Sequence, residues 1–181
     1  MKILIIHSKG GVGKTTVALA LADVLDAQII DLDPQKSITN ASAITGRHMP
    51  VDFNQVTAKH LIIDTPPYRM KESKGLLKMA DIILIPVKVS VLDLQAAASI
   101  VEDIRSLKFQ KKGRFVINEA PATKGKMWRE CKSFFQSNYP DIALCQEQFR
   151  NYNAFRFVAS EPLSNPALAQ AQRLAREILD I

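Results

Sequence analysis

Short apolar runs alternate with amphipathic stretches along the whole chain, and this rhythm predicts strands and helices in turn. Ile3 to His7 reads as a buried strand, and Lys14 to Leu25 as a helix with Val17, Leu21, Val24 and Leu25 on one side. Gln28 to Leu32 is the next strand. The polar stretch from Pro34 to Lys59 has weak periodicity and predicts one short helix, over about Ser37 to Ile44. Leu61 to Asp64 is a strand closed by Thr65-Pro66-Pro67, because two prolines exclude both ladder bonding and an immediate helix. Ile82 to Val87 is an all-apolar strand, followed by a helix from Leu92 to Leu107, a strand from Arg114 to Asn118, a helix from Lys124 to Phe135 and a short strand from Ile142 to Cys145. The last helix, Pro166 to Leu179, places proline in the first turn with Asn165 as its cap, and its apolar side is Leu168, Ala171, Leu174, Ala175, Ile178 and Leu179. Such alternation predicts an α/β fold, a mainly parallel twisted sheet flanked by helices. Residues 1–181 read as a single domain without repeats or linkers.

The first strand-to-helix junction carries chemistry. Lys9-Gly10-Gly11-Val12-Gly13-Lys14-Thr15-Thr16 comes directly after the strand and opens the helix. Three glycines let successive backbone N–H groups turn toward one anion, and the helix start adds the positive end of its dipole. Lys14 supplies a point charge for the β and γ phosphates, Thr15 a hydroxyl suited to Mg²⁺, and Thr16 a contact to the phosphate nearest the sugar. The general phosphate-loop pattern has glycine five residues before Gly13, where this chain has Ser8.

Carboxylates complete the set. Asp31 and Asp33 are separated by one residue at the end of the second strand, and Asp64 ends the strand Leu61 to Asp64. In an open parallel sheet, ligands gather beyond the carboxyl ends of the strands, where the loop and all three acids converge.

Composition narrows the picture. The 47% apolar content of 181 residues suffices for one large core. The longest apolar stretch, Ile82 to Val89, is interrupted by Pro86 and Lys88 and is far below the roughly 20 residues of a membrane span. Cys131 and Cys145 share no metal-ligand spacing, as expected for a reduced cytoplasmic setting, and His7, His48 and His60 share none either. His7 is expected to line the loop, and His48 and His60 to lie on the surface. Trp128 is expected to pack with Met127, Cys131, Phe134 and Phe135. The formal charge of +6 is concentrated between residues 105 and 132, where nine basic side chains face Glu119 and Glu130, for a local +7. Such a cluster is a solvated face or the footprint of a polyanion.

The segments Lys9 to Thr16, Asp31-Leu32-Asp33-Pro34-Gln35 and Ile63-Asp64-Thr65-Pro66-Pro67 resemble the three signature motifs of the ParA/MinD family of deviant Walker A, P-loop ATPases. Ala80 to Val87 with Leu92-Asp93-Leu94 resembles the fourth strand and its exit in ParA partition proteins. The resemblance implies ATP and Mg²⁺ as ligands. It implies that Lys9 reaches across a nucleotide-sandwich homodimer to the partner's phosphates, and that Gly10, Gly11, Val12, Gly13, Lys14, Thr15 and Thr16 form the phosphate floor. It further implies that Asp33 positions the hydrolytic water, that Asp31 supports the site, that Mg²⁺ is held among Thr15, Asp33 and Asp64, and that Asn118 contacts adenine. Asp33 to Asn40 corresponds to a first switch and Thr65 to Tyr68 to a second.

The implied function is an ATP-driven dimeric switch that binds non-specific DNA on the nucleoid and partitions a plasmid or similar cargo, with a ParB-like or ribbon-helix-helix centromere-binding partner. An operator-reading helix-turn-helix extension is not expected, because the first strand opens at residue 3, and neither is a membrane-binding tail, because the last helix has only Arg173 and Arg176. A positioning ATPase for a protein or conjugative-transfer complex, a binding switch with negligible turnover, and a ligase of the dethiobiotin synthetase type share parts of this pattern.

Overall fold

The computed structural model describes residues 1–67, 73–121, 123 and 125–180. In chain order the elements are β1 (Lys2–Ile5), α1 (Lys14–Leu25), β2 (Gln28–Asp31), α2 (Ser37–Thr45), β3 (Leu61–Asp64), α3 (Ser73–Met79), β4 (Ile82–Val87), α4 (Val91–Ala96), α5 (Ala98–Ser106), β5 (Gly113–Ile117), α6 (Lys126–Asn138), β6 (Ala143–Leu144), α7 (Asn153–Arg156) and α8 (Ala167–Leu179). The strands form one sheet in the order β2-β3-β1-β4-β5-β6, and every neighbouring pair is parallel.

Both faces of the sheet are covered, which is why β3 and β4 are apolar at nearly every position rather than alternating. Because successive side chains point to opposite faces, Ile3, Ile5, Ile62, Leu84 and Val116 pack under α1, α7 and α8. Leu4, Ile63, Ile83, Ile85, Phe115 and Ile117 pack under α3, α4, α5 and α6 on the other side. The apolar side of α8 belongs to the first of these cores, under α1: Ala171, Leu174, Ala175 and Ile178 are buried. Among the described residues, no helix is long and apolar enough to cross a membrane.

Several boundaries differ from the sequence reading. The helix expected over Leu92 to Leu107 is two, α4 and α5, meeting at Ala97, whose carbonyl accepts both the Ile100 and Val101 N–H groups. The helix expected from Lys124 starts at Lys126, and Lys124 itself lies outside the described residues, as do Tyr68 and Ile181. Asn165 does not cap α8; Pro166 holds the cap position and no side chain caps it. The helices α3 and α7 have no counterpart in the sequence reading, since each is too short to show a helical period.

The register does what the site needs. Ile5 pairs with Asp64, and Asp64 with Asp31, so the exits of β1, β3 and β2 stand in one row at the carboxyl edge of the sheet.

Candidate nucleotide-binding site

The loop leaving β1 turns through Gly11 at φ +73° and Gly13 at φ +95°, the left-handed region open to glycine. Gly13 is the N-cap of α1 and no side chain caps the helix, so its first-turn N–H groups face the loop without an internal partner. A cleft of about 450 Å³ opens there, lined by Gly10, Gly11, Gly13, Lys14, Thr15, Thr16, Asp33, Gln35, Ser37, Pro67, Asn118 and Glu119. The structure therefore brings most of the expected residues around one hollow. Val12, Asp31 and Asp64 are buried and, like Lys9, lie outside the lining.

Lys14 is buried, and its Nζ donates to the Lys9 carbonyl at 3.2 Å. Burial lowers its pKa, opposed by the charges of Asp64 and Asp33. Thr15 Oγ1 donates to Asp64 Oδ2 at 2.7 Å, whereas Asp64 Oδ1 is buried with no hydrogen-bond partner among the described residues. Burial pushes the Asp64 carboxyl up to about 7, against the Thr15 hydrogen bond and the nearby Lys14 ammonium. A hydroxyl and an under-coordinated carboxylate beside a phosphate floor fit a hard divalent cation that keeps several waters. Among the described residues no three His, Cys, Asp or Glu side chains are grouped so as to hold a metal ion.

Asp31 organises the turn between β2 and α2. Its Oδ1 accepts the Asp33 N–H at 3.1 Å, and its Oδ2 accepts the Thr39 N–H at 3.1 Å and hydroxyl at 3.0 Å. The Thr39 N–H is one of the unpaired donors of the first turn of α2, so Asp31 caps that helix from a distance. Lys36 Nζ closes the turn on the Asp31 carbonyl at 2.7 Å, and Asp33 Oδ1 accepts the Gln35 N–H at 2.9 Å. Asp33 is left half-buried on the cleft wall.

Asn118 emerges from β5 against the loop, and its Nδ2 donates to the Val12 carbonyl at 3.1 Å. The amide thus braces the phosphate loop. On its far side Thr16, Glu119, Arg150, Asn151, Tyr152 and Arg156 line a small hollow continuous with the same wall.

The residues just before the glycines attach to α4. His7 is fully buried; its Nδ1 accepts the Lys9 N–H at 2.9 Å and its Nε2 lies 3.2 Å from the Asp93 carbonyl. Desolvation holds His7 down at about 4, so it is neutral. Ser8, which replaces the expected glycine, donates to the Ala96 carbonyl at 2.6 Å. Lys9 Nζ forms an ion pair with Asp93. Sequence reasoning did not single out Asp93 in this role, because a separation of 84 in sequence hides the pairing.

Other expectations divide. Trp128, Cys131 and Phe135 pack in the core as expected, but Met127 is 65% exposed. Burial raises the thiols of Cys131 and Cys145 to about 11 and about 12, so both stay protonated. His48 is no simple surface residue: its Nε2 meets Asp23 Oδ1 at 2.8 Å and it is largely covered. The basic segment is not one patch. Arg105 grips Asp141, Lys112 donates to the Ala80 carbonyl and Arg114 to the Lys111 carbonyl; Lys126, which pairs with Glu130 at 3.7 Å, stands with Arg129 and Lys132 on the exposed side of α6. A cleft of about 660 Å³ beside β6, lined by Trp128, Lys132, Phe135, Tyr139 and Leu144 among others, is larger than the loop cleft. It lies away from the glycine loop and the row of aspartates.

A parallel sheet with a glycine loop between β1 and α1, and acids on the adjacent strand ends, defines a phosphate-loop nucleotide-binding domain. Residues 3–148 match the CobQ/CobB/MinD/ParA nucleotide binding domain, and the chain belongs to that family. Similar solved structures include a protein from Borrelia burgdorferi B31 described as a plasmid partition protein and bound to AMPPNP (16% identity, TM-score 0.76, 99% of this chain and 98% of that chain covered). MinD in the MinC:MinD cell division complex of Aquifex aeolicus is also similar (16%, TM-score 0.77, 99% and 96% covered). So is cobyrinic acid a,c-diamide synthase from Mycobacterium smegmatis with bound ADP and magnesium (14%, TM-score 0.71, 98% and 93% covered). At these identities the likeness is one of fold. No curated protein sequence matches the chain.

Proposed function

We propose that this protein is an Mg²⁺-dependent ATPase of the deviant Walker A class, whose ATP-bound homodimer binds DNA without sequence preference and partitions a plasmid or similar cargo. A ParB-like or ribbon-helix-helix partner would stimulate it. One observation carries the reading: the two lysines of the loop diverge. Lys14 Nζ turns back over the loop to the Lys9 carbonyl, whereas Lys9 Nζ lies outside the cleft on Asp93. A second ammonium that does not serve its own cleft is accounted for by a second nucleotide, held by a second copy.

In this mechanism the backbone N–H groups of Gly10 to Thr16 and the Lys14 ammonium hold the β and γ phosphates of ATP. Thr15, Asp33 and Asp64 would hold Mg²⁺, which would neutralise charge on the phosphates. Asp33 orients a water in line with the γ phosphorus and accepts its proton as the bridging bond breaks and ADP becomes the leaving group. Lys9 of each copy meets the phosphates of the other. A γ-phosphate-dependent contact of about 3 kcal/mol changes the dimerisation constant roughly a hundredfold, enough for hydrolysis to separate the copies.

Dimerisation brings two α6 helices onto one particle, each with Lys126, Arg129 and Lys132 exposed. Neutralising six phosphates gives a log–log salt slope of about −5. Fluorescence anisotropy of a labelled duplex, titrated at several salt concentrations, tests this. Binding in Mg²⁺–ATP with that slope and none in Mg²⁺–ADP is expected; equal binding with both nucleotides, or none with either, contradicts it.

A further inference from the structure

We propose that the open margin of the sheet at β6 is a docking site for an extended, acidic segment of a partner protein, which adds to the sheet as a further strand. The site shares no residue with the phosphate loop and does not depend on the function proposed above.

The two margins of the sheet end differently. Along β2 the chain covers its own edge: the Val51 N–H donates to the Ile29 carbonyl at 2.9 Å, and the Thr57 and Ala58 N–H groups donate to Gln28 Oε1 at 2.7 and 2.8 Å. β6 ends the other side, with β5 as its one strand neighbour among the described residues. The Cys145 N–H turns inward to the Phe115 carbonyl at 2.9 Å, so the N–H and carbonyl of Leu144, one position earlier, turn outward.

A groove lies along this edge. The cleft of about 660 Å³ beside β6 and a second of about 340 Å³ share Gln146 and Gln148, so they adjoin. α6 walls the first through Trp128, Lys132 and Gln136, and α8 walls the second through Ala169, Gln170 and Arg173. Edge backbone set in a groove between two helices is what strand addition uses: main-chain hydrogen bonds supply the affinity, and the walls select side chains.

Charge identifies the occupant. Among the described residues lining the groove, Lys132, Arg150 and Arg173 are exposed cations, and the one acid, Glu147, is already held by Arg173 at 2.7 Å. Just past β6 the edge already binds a carboxylate of the chain itself: the Gln146 and Glu147 N–H groups donate to Glu177 at 2.6 and 2.9 Å. Those two donors are spent, so an incoming strand pairs at Leu144 and turns its acidic side chains to Lys132 and Arg150. The same cations oppose pairing with β6 of a second copy, which would set like charges face to face. A nucleic-acid backbone suits the cations, but phosphate oxygens only accept hydrogen bonds and leave the Leu144 carbonyl unmatched.

A displayed library of random peptides of about twelve residues, selected against the nucleotide-free full chain, tests the site. Enriched peptides, measured by fluorescence anisotropy, are expected to be net acidic and free of central proline. Leu144→Pro removes the outward N–H, a change that an edge strand tolerates, and should lose about tenfold in affinity at a matched melting transition. Gln148→Glu keeps the shape of the groove and adds an acid, and should lose about threefold, with the loss shrinking as salt is raised. A ligand-side readout leaves the protein unchanged: N-methylation of alternate peptide amides should abolish binding in one phase and spare it in the other, because only one edge of the added strand pairs.

Enrichment of no peptide, or of basic ones, overturns the proposal. Equal affinity for Leu144→Pro, or equal tolerance of both methylation patterns, does the same. A labelled duplex that displaces the peptide and binds Leu144→Pro more weakly would make the groove a nucleic-acid site instead. Nucleotide-free self-association lost in Leu144→Pro would make it a contact between copies. All these readouts are taken without nucleotide, so they stand apart from the ATP-bound dimer.

Discussion

The side-chain amide of Asn118 occupies the space that a Cβ at Gly13 would need, and the two would overlap. The same amide nitrogen holds the Val12 carbonyl at 3.1 Å, so β5 clamps the phosphate loop from the side. Gly13 is thus fixed twice, by its left-handed φ and by its neighbour. Gly13→Ala is expected to lose at least roughly tenfold in ATP affinity and to destabilise the fold by about 1–2 kcal/mol from backbone strain, with the clash added. Adding Asn118→Ala should relieve the clash but not the strain. Urea unfolding of the four members of the cycle checks this; a coupling below about 0.5 kcal/mol contradicts the clamp.

Asp64 makes nucleotide-free stability depend on pH. Its pKa rises from 3.8 to about 7, chiefly through burial. Between those values the folded chain keeps a proton that the unfolded chain has released, so stability falls as pH rises through this window and levels off above it. Asp64→Asn should be more stable than wild type at about pH 7.5 and should lack the decline, while binding Mg²⁺–ATP more weakly. Because a cation favours the ionised carboxylate, binding of Mg²⁺–ATP by wild type at about pH 6 should release protons, measured by calorimetry in buffers of different ionisation enthalpy. Proton release of equal size in Asp64→Asn contradicts the assignment.

Asp31 is expected to act on α2 rather than on phosphate. It accepts two hydrogen bonds from Thr39 and one from Asp33. Asp31→Ala should cost roughly 1–2 kcal/mol of stability, the range of a lost helix cap, and loosen the segment that carries Asp33. Hydrogen exchange at Thr39 and Asn40 reports it; unchanged protection there would refute the role.

Asp33 lines the cleft and its carboxylate accepts the Gln35 N–H of a turn, so its removal should spare binding. Asp33→Ala is expected to lower phosphate release about a hundredfold or more while ATP affinity changes less than about threefold. Loss of both together would make Asp33 a binding residue. Retention of turnover would favour a switch without hydrolysis.

Much of the fold and of the cleft is legible in one dimension. The runs Leu61 to Asp64 and Ile82 to Val87 are apolar throughout because both sheet faces are covered, and that shows in the residue types alone. Lys14 to Leu25 opens and closes as the pattern predicts. The glycine spacing and the strand-end aspartates point to the cleft, since backbone geometry alone carries those residues to one edge. Contact at long range stays hidden. Asn118 Nδ2 meets the Val12 carbonyl of the loop, and Asp93 meets Lys9 across the fold. Neither contact can be read from spacing, since both depend on how β4 and β5 stack beside β1. The local +7 charge also misleads: Arg105 and Arg114 serve neighbouring carboxylate and carbonyl groups, which composition does not distinguish from an open cationic face.

The central claim is that Lys9 of one copy grips the triphosphate of another. Analytical ultracentrifugation of wild type and Lys9→Ala in Mg²⁺–ATP and Mg²⁺–ADP tests it most directly. A dimer formed by wild type in ATP alone, with association at least roughly a hundredfold weaker in Lys9→Ala despite similar ATP affinity, is the predicted result. A wild-type chain that stays monomeric in ATP, or a Lys9→Ala chain that dimerises as well as wild type, would contradict it.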